Sequence, residues 1–398
     1  MNISSRPLLF LCCSAFLPIF ALKAQYQADP NMRTGKPFTV SATLREEYDS
    51  NVFTSNTNEV DSFITSIEPA ILFDYPMEQT LFSFRYGFTG KFYVDRPGND
   101  FDYGQDFTAR IAHTFSPNFD IDVRNHFRFS QESQIGAGAV TQRRLGDNYV
   151  NEFSAAGTAK WTERFSTLTT YRNNYRHYVD SGLGSVNDYV ENTLSNDFRL
   201  TVLPTTTAVI NVTGDRIDYD TIPRSNTGVI VSVGADHYIS PVWLISGRVG
   251  GEYRTYDNSI FSDQVSPYAS LDTIWNYAPK SSVRFGYQHT TAVTDISTYS
   301  NAETDQISAG INHYFTPKLS LGADAAYVLA QYETRNSFVP VSDSLDENTA
   351  IFGLRASYEF SQYVTFLAGY TYSFVSSQVS SGREYDRNQV YIGVRGVY

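Results

Sequence analysis

Apolar and polar residues alternate strictly, segment after segment, and this constrains the chain more than anything else in it. Within residues 81–94, Phe82, Phe84, Tyr86, Phe88, Phe92 and Val94 share one parity, and Ser83, Arg85, Gly87, Thr89 and Lys91 share the other. A period of two belongs to an extended strand with one apolar and one polar face. Within 119–129 the apolar parity holds Phe119, Ile121, Val123, Phe127 and Phe129, against Asp120, Asp122, Arg124, His126 and Arg128. Within 364–374 it holds Val364, Phe366, Ala368, Tyr370, Tyr372 and Phe374. Several charges on one strand face would each need a partner in a dry core, whereas a water-filled interior solvates them. The expected fold is therefore all-β, a transmembrane antiparallel β-barrel with apolar faces to lipid and polar faces to the lumen.

Turn signals punctuate the pattern at Tyr75-Pro76, Ser116-Pro117-Asn118, Thr162-Glu163-Arg164, Pro204-Thr205, Ser240-Pro241, Ala278-Pro279-Lys280, Thr316-Pro317-Lys318 and Ser361-Gln362. They alternate with looser stretches rich in Asn, Asp, Gly and Ser, the longest at 132–147. About eighteen strands result, with tight turns expected in the periplasm and loops outside. His113, Phe115, Trp161, His237, Tyr238, Trp243, Trp275, Tyr277, His313, Tyr314 and Phe360 flank the tight turns. Rings with polar edges settle at lipid headgroups, so these read as the periplasmic girdle.

Composition fits. Tyr, Phe and Trp make up 15% of the 398 residues, yet mean hydropathy is only −0.30. After the N-terminus no apolar run is long enough to span a bilayer as a helix. Residues 1–24 read as a secretory signal, with Arg6, an apolar stretch over 8–22 and Ala24 as the last residue removed. Leu22 is larger than the small residue preferred at its position. The expected division is signal 1–24, periplasmic N-terminal tail 25–37 and outer-membrane barrel 38–398. Cys12 and Cys13 both fall in the signal, so the mature chain is expected to have no thiol. A net charge of −12 argues against nucleic acid as a partner. Asp49, Glu59, Asp61, Asp343, Asp346 and Glu347 are expected in solvated surface loops.

The chain closes on an alternating strand, 385–398, ending in Tyr398. Gly393 and Tyr398 resemble the signal read by the barrel-assembly machinery, and Gly396 departs from it where a hydrophobe is usual. Near the start, Thr43-Leu44-Arg45-Glu46-Glu47-Tyr48-Asp49-Ser50-Asn51-Val52-Phe53, an acidic loop and then Ile64-Thr65-Ser66-Ile67-Glu68-Pro69 form a first hairpin. This resembles the opening of the putative beta-barrel porin family of bacterial outer-membrane proteins. The resemblance implies a barrel over nearly the whole mature chain and says little about cargo, although some members accompany polysaccharide synthesis and export.

No phosphate loop, dinucleotide fingerprint or His-Glu-x-x-His is present, and no enzyme, cofactor or metal is implied. His177, Asp180 and Ser181 crowd one strand end, where adjacent side chains point in opposing directions. The expected site is the lumen. Strand parity puts Arg45, Arg85, Lys91, Arg110, Arg124, Arg128, Arg172, Arg176, Arg199, Arg248, Arg254, Arg284, Arg355 and Arg395 inside as pore-lining cations. Asp102, Asp106, Asp120, Asp122, Glu152, Glu191, Asp197, Asp215, Asp236, Glu252, Asp272 and Glu359 join them. Such an interior either selects small anionic solutes or forms a ladder of ion pairs that stiffens the wall. Three functions stay open: a passive channel for small polar or anionic solutes, a conduit for exopolysaccharide export, and a structural or adhesive barrel without a through-path. Outer-membrane lipids and the assembly machinery are the expected partners in each.

Overall fold

The computed structural model describes residues 37–131, 146–294, 296, 299, 301–332, 345–379 and 381–398. The expected signal, nearly all of the tail and most of the 132–147 loop lie outside the described residues. The strands are β1 (Phe38–Asp49), β2 (Ser62–Pro76), β3 (Thr80–Tyr93), β4 (Phe101–Ser116), β5 (Phe119–Ser130) and β6 (Asn148–Lys160). There follow β7 (Phe165–Tyr178), β8 (Tyr189–Leu203), β9 (Thr206–Tyr219), β10 (Asn226–Ser240), β11 (Trp243–Tyr256) and β12 (Gln264–Ala278). The last are β13 (Ser281–Val293), β14 (Asn301–Tyr314), β15 (Leu319–Tyr332), β16 (Leu345–Glu359), β17 (Val364–Ser377) and β18 (Tyr385–Val397).

Each strand pairs antiparallel with its neighbours in sequence, and β18 pairs with β1, so one 18-stranded sheet closes on itself. Closure gives every strand a neighbour on both sides, which is what a membrane demands of strands. Among the described residues no helix is long and apolar enough to cross a membrane. At the seam, Val40 and Tyr398 exchange backbone hydrogen bonds of 3.0 and 2.8 Å. Gly393 faces Arg45 there, and a Cβ at 393 would come within 2.9 Å of the Leu44 carbonyl oxygen. Gly393 of the C-terminal strand thus leaves the room that the Leu44 carbonyl takes up at the closing seam.

Alternation in sequence becomes alternation in exposure. On β1, Phe38, Val40 and Leu44 are exposed on the outside, while Thr39, Ser41, Thr43, Arg45, Glu47 and Asp49 are buried on the inside. A soluble core would show the reverse. At the turn end, the Trp243 and Trp275 rings lie 5.7 Å apart and Trp161 is exposed. The nearby histidines take Thr80 (His113, 2.7 Å), Thr206 (His237, 2.9 Å) and Tyr277 (His313, 2.8 Å). Towards the loop end, outward tyrosines donate to a carboxylate or amide on the next strand or in the adjoining loop. The pairs are Tyr48–Asp61 (3.1 Å), Tyr253–Asp263 (3.0 Å), Tyr287–Asp305 (2.7 Å) and Tyr370–Asn388 (2.8 Å).

Three acids differ from expectation, and one of them, Asp346, lies within β16, paired with Gln331 of β15. Asp49 and Glu347 are the inward residues at strand ends, fully or almost fully buried, where Arg387 holds Asp49 and Arg383 holds Glu347 (2.8 Å). Their sequence surroundings look like loop, but the strands run further than the turn residues suggest. Asp343 lies outside the described residues. The loop at 180–187 contains a short helix, α1 (Ser181–Asn187), capped by Asp180, whose carboxylate accepts from the Leu183 N–H at 2.9 Å.

Candidate functional site

All fourteen cations named from the sequence carry the inward parity of their strands. Eight rest on carboxylates. Arg45 meets Glu68 at 3.1 Å, Arg85 meets Asp106 at 3.0 Å, and Arg110 and Arg124 share Asp122 at 2.5 and 3.0 Å. Arg199 and Arg248 share Asp236 at 2.5 and 2.7 Å. Arg254 bridges Asp215 (2.8 Å) and Glu252 (2.9 Å), and Arg355 takes Asp324 at 2.8 Å. Much of the interior is thus a ladder of ion pairs crossing from strand to strand. Lys91, Arg172, Arg284 and Arg395 have other contacts.

One stretch of wall is different. Arg124 on β5 pairs across β6 at Ser154 with Arg172 on β7, and Arg128 pairs across Val150 with Arg176. Four arginines thereby occupy the corners of a patch three strands wide, flanking Ser154 and Val150 of β6. Its middle row is His126, Glu152 and Asn174. His126 Nε2 lies 2.6 Å from Asp106 and Nδ1 lies 3.1 Å from Glu152. Arg128 and Arg176 have no ion pair among the described residues, and the Arg124 side chain is 50% exposed to the lumen. Cations that are accessible, clustered and incompletely neutralised are what an anion needs from a pore wall.

The loop end is built differently from the wall. Here the inward parity turns apolar, and the loops fold in to cover it. Val52 packs on Ile64 and Tyr93, Ile222 packs on Tyr189, Ile217 and Tyr219, and Tyr299 packs on Ala292, Ala302, Ala330 and Tyr332. Arg224, in the β9–β10 loop and 1% exposed, ties the last two of these clusters together. Its Nη1 donates to the carbonyl oxygens of Thr294 (3.0 Å), Ile296 (3.3 Å) and Tyr299 (3.3 Å), and Nη2 to that of Val186 (2.9 Å). The guanidinium also lies 4.5 Å above the Tyr219 ring. Loops of three hairpins therefore meet over the mouth. Sequence reading missed Arg224, an isolated loop arginine. The signal that was available is the change of the inward parity to Ile64, Tyr93, Tyr189, Ile217, Tyr219 and Tyr332 near the loops.

Other candidates dissolve on inspection. His177 Nδ1 pairs with Asp188 at 2.6 Å, Asp180 is spent on its helix cap, and neither faces Ser181 in a catalytic arrangement. Among the described residues no three metal-ligating side chains come together. Tyr398 stands outward and exposed beside the β1–β18 seam.

The barrel is similar to several solved structures. The outer membrane protein OpdK from Pseudomonas aeruginosa is 8% identical, with a TM-score of 0.48 covering 91% of this chain and 99% of that one. OccK2 (OpdF) from the same organism, solved with glucuronate, is 10% identical, with a TM-score of 0.49 covering 90% and 98%. The FrpB iron transporter from Neisseria meningitidis is 12% identical, with a TM-score of 0.44 covering 86% and 62%. No curated protein matches the sequence. The family described as Putative beta-barrel porin 2 matches residues 32–398, which span the first hairpin, every strand and the closing tyrosine. With its closed 18-stranded wall, the chain belongs to that family and is a bacterial outer-membrane β-barrel of the porin kind.

Proposed function

We propose that the protein is a passive channel for small polar solutes with a preference for anions, and that the cations of the inner wall line its path. The observation that carries this reading is the patch of Arg124, Arg128, Arg172 and Arg176, because the other ionic contacts of the wall largely neutralise themselves. The wall as a whole then supplies a rigid hydrophilic passage, and the patch supplies the sign of charge selection. The inward-folded loops weigh against a conduit for a long exported polysaccharide and favour solutes small enough to pass beside them. No catalytic step and no cofactor enters this reading. We also assign residues 1–24 to a cleaved signal and 25–37 to a periplasmic tail, with Gly393 and Tyr398 as the recognition point for the assembly machinery. N-terminal sequencing of the membrane-inserted protein should begin near Gln25.

Single-channel recording in a planar bilayer tests the channel. The wild type should conduct, with a reversal potential in a salt gradient that favours anions. Replacing Arg128 and Arg176 together with serine should move that potential towards cations while leaving the barrel folded. An unchanged reversal potential would remove the patch from the selectivity mechanism, and an absence of conductance would sink the channel.

A further inference from the structure

At the loop end, every pair of neighbouring strands is still hydrogen-bonded where one of the two ends, with a single exception among the described residues; the lapse opposite Pro69, between β2 and β3, closes again before either strand ends. The last pair between β12 and β13 is Ala269 with His289. Yet β12 runs on to Gln264 along β11, and β13 runs on to Val293 along β14. The wall forks.

The cause is legible in the backbone. The N–H of Asn276 donates to the Val242 carbonyl at 2.8 Å, so even residues of β12 turn their backbone groups to β11 and odd residues turn theirs to β13. The rung after Ala269–His289 would join residue 267 to Thr291. Residue 267 is proline and has no N–H to give. The Thr291 N–H donates instead to Glu252 Oε2 at 3.2 Å. Asn301 Nδ2 reaches Tyr256 Oη at 2.5 Å, and Glu303 Oε1 accepts from Gln264 Nε2 and Ser266 Oγ, both at 2.8 Å. Asn301 and Glu303 have the outward parity of β14, whereas Glu252, Tyr256, Gln264 and Ser266 have the inward parity of β11 and β12. An outward face resting on an inward face means that the β13–β14 end lies inside the β11–β12 end, as overlapping shingles do.

The height of the fork matters. Trp243 pairs with Trp275 in the turn-end girdle, and Tyr253 pairs with Val265 ten residues further along. Tilted strands climb about 2.5 Å per residue through an apolar band about 25 Å tall. The fork, from Ala269 to Val265, therefore lies in the outer-leaflet half. Val265 is 74% exposed on its outer side.

We propose that the β12–β13 fork is a lateral exit from the lumen into the outer leaflet for amphiphiles with a hydrogen-bonding head and an apolar tail. It deepens the channel reading by adding a substrate class, and it rests on that reading's open lumen. The overlap is held by side-chain hydrogen bonds in place of backbone rungs, so it can part without unzipping a ladder. Its inner lining of Glu252, Gln264, Ser266 and Glu303 offers polar partners to a head, and Val265 outside meets a tail.

The test bridges the overlap. The native cysteines, Cys12 and Cys13, precede the barrel, so Tyr256→Cys with Asn301→Cys, which face each other across the overlap outside that lining, can be joined by a short, cleavable bifunctional thiol reagent. The protein in lipid vesicles is then assayed for chloride conductance and for delivery of a fluorescent lysophosphatidylglycerol to the outer leaflet, scored by extraction into serum albumin. Unbridged protein should deliver the lipid faster than protein-free vesicles do. Bridging should return delivery to the protein-free level with conductance kept, and cleavage should restore it. Pro267→Val, which supplies the missing N–H, should slow delivery and slow hydrogen exchange at Thr291. Delivery that is absent, or indifferent to the bridge, in a protein that conducts chloride overturns the lateral exit. Bridge-sensitive delivery without chloride conductance keeps the exit and sinks the ion channel.

Discussion

The sharpest test of the two faces compares adjacent residues, Phe84 and Arg85. Phe84 points outward, 37% exposed, with its ring 4.9 Å from that of Phe107. It stands four residues above the start of β3 at Thr80, which at about 2.5 Å of climb per residue puts it near the middle of the apolar band. Arginine at that depth costs about 2 to 4 kcal/mol, and losing the ring pair adds about 1 kcal/mol. Phe84→Arg should therefore destabilise the barrel by about 3 to 5 kcal/mol. Arg85 points inward onto Asp106 at 3.0 Å, and Asp106 keeps His126 at 2.6 Å when Arg85 is removed. Both groups are partly in lumen water, so Arg85→Ser should cost about 1 kcal/mol or less. Urea unfolding in lipid vesicles, followed by heat-modifiable gel mobility, measures both. Equal losses at the two positions would refute the assignment of faces, since a period of two allows no compromise between them.

Further outcomes follow from the mouth and the seam. Arg224→Ala removes four hydrogen bonds from a buried cation, each worth about 1.5 to 3 kcal/mol to the loops it holds; single-channel conductance should rise while the strands unfold at unchanged urea, and an unaltered conductance would show that the loops do not restrict the path. Gly393→Val should slow closure of the barrel because its branched side chain meets the Leu44 carbonyl, and deletion of Tyr398 should lower the yield of inserted protein without altering the conductance of those barrels that assemble; normal yields of both would count against the closing strand as the recognition point.

Much of this architecture could be read before any coordinate, because the rules that set it are local. Strand parity at Phe84 and Arg85 needs only a period of two, and Pro279 and Pro317 mark turns because each sits among polar residues between two alternating segments. The inward set of cations follows from the same parity. What escaped the reading depends on contacts between segments far apart in sequence. Asp49 looks like the start of an acidic loop until Arg387, on the last strand, comes to rest beside it. Glu347 likewise waits for Arg383. The arginine patch is visible only once the register sets Arg128 level with Arg176, since nothing in either strand alone fixes their height. Pro267 stood in plain view, but a proline in a strand announces a gap only when the neighbour it faces is known.

Arg224 also distributes genetic risk unevenly. It reaches its partners through their backbone oxygens, at Val186, Thr294, Ile296 and Tyr299, and every residue type carries that oxygen. A codon change at a receiving position leaves the acceptor in place, whereas a change at 224 removes every donor at once. The receiving positions can therefore change residue type without losing their acceptors, while the side chain at 224 alone keeps these loops together.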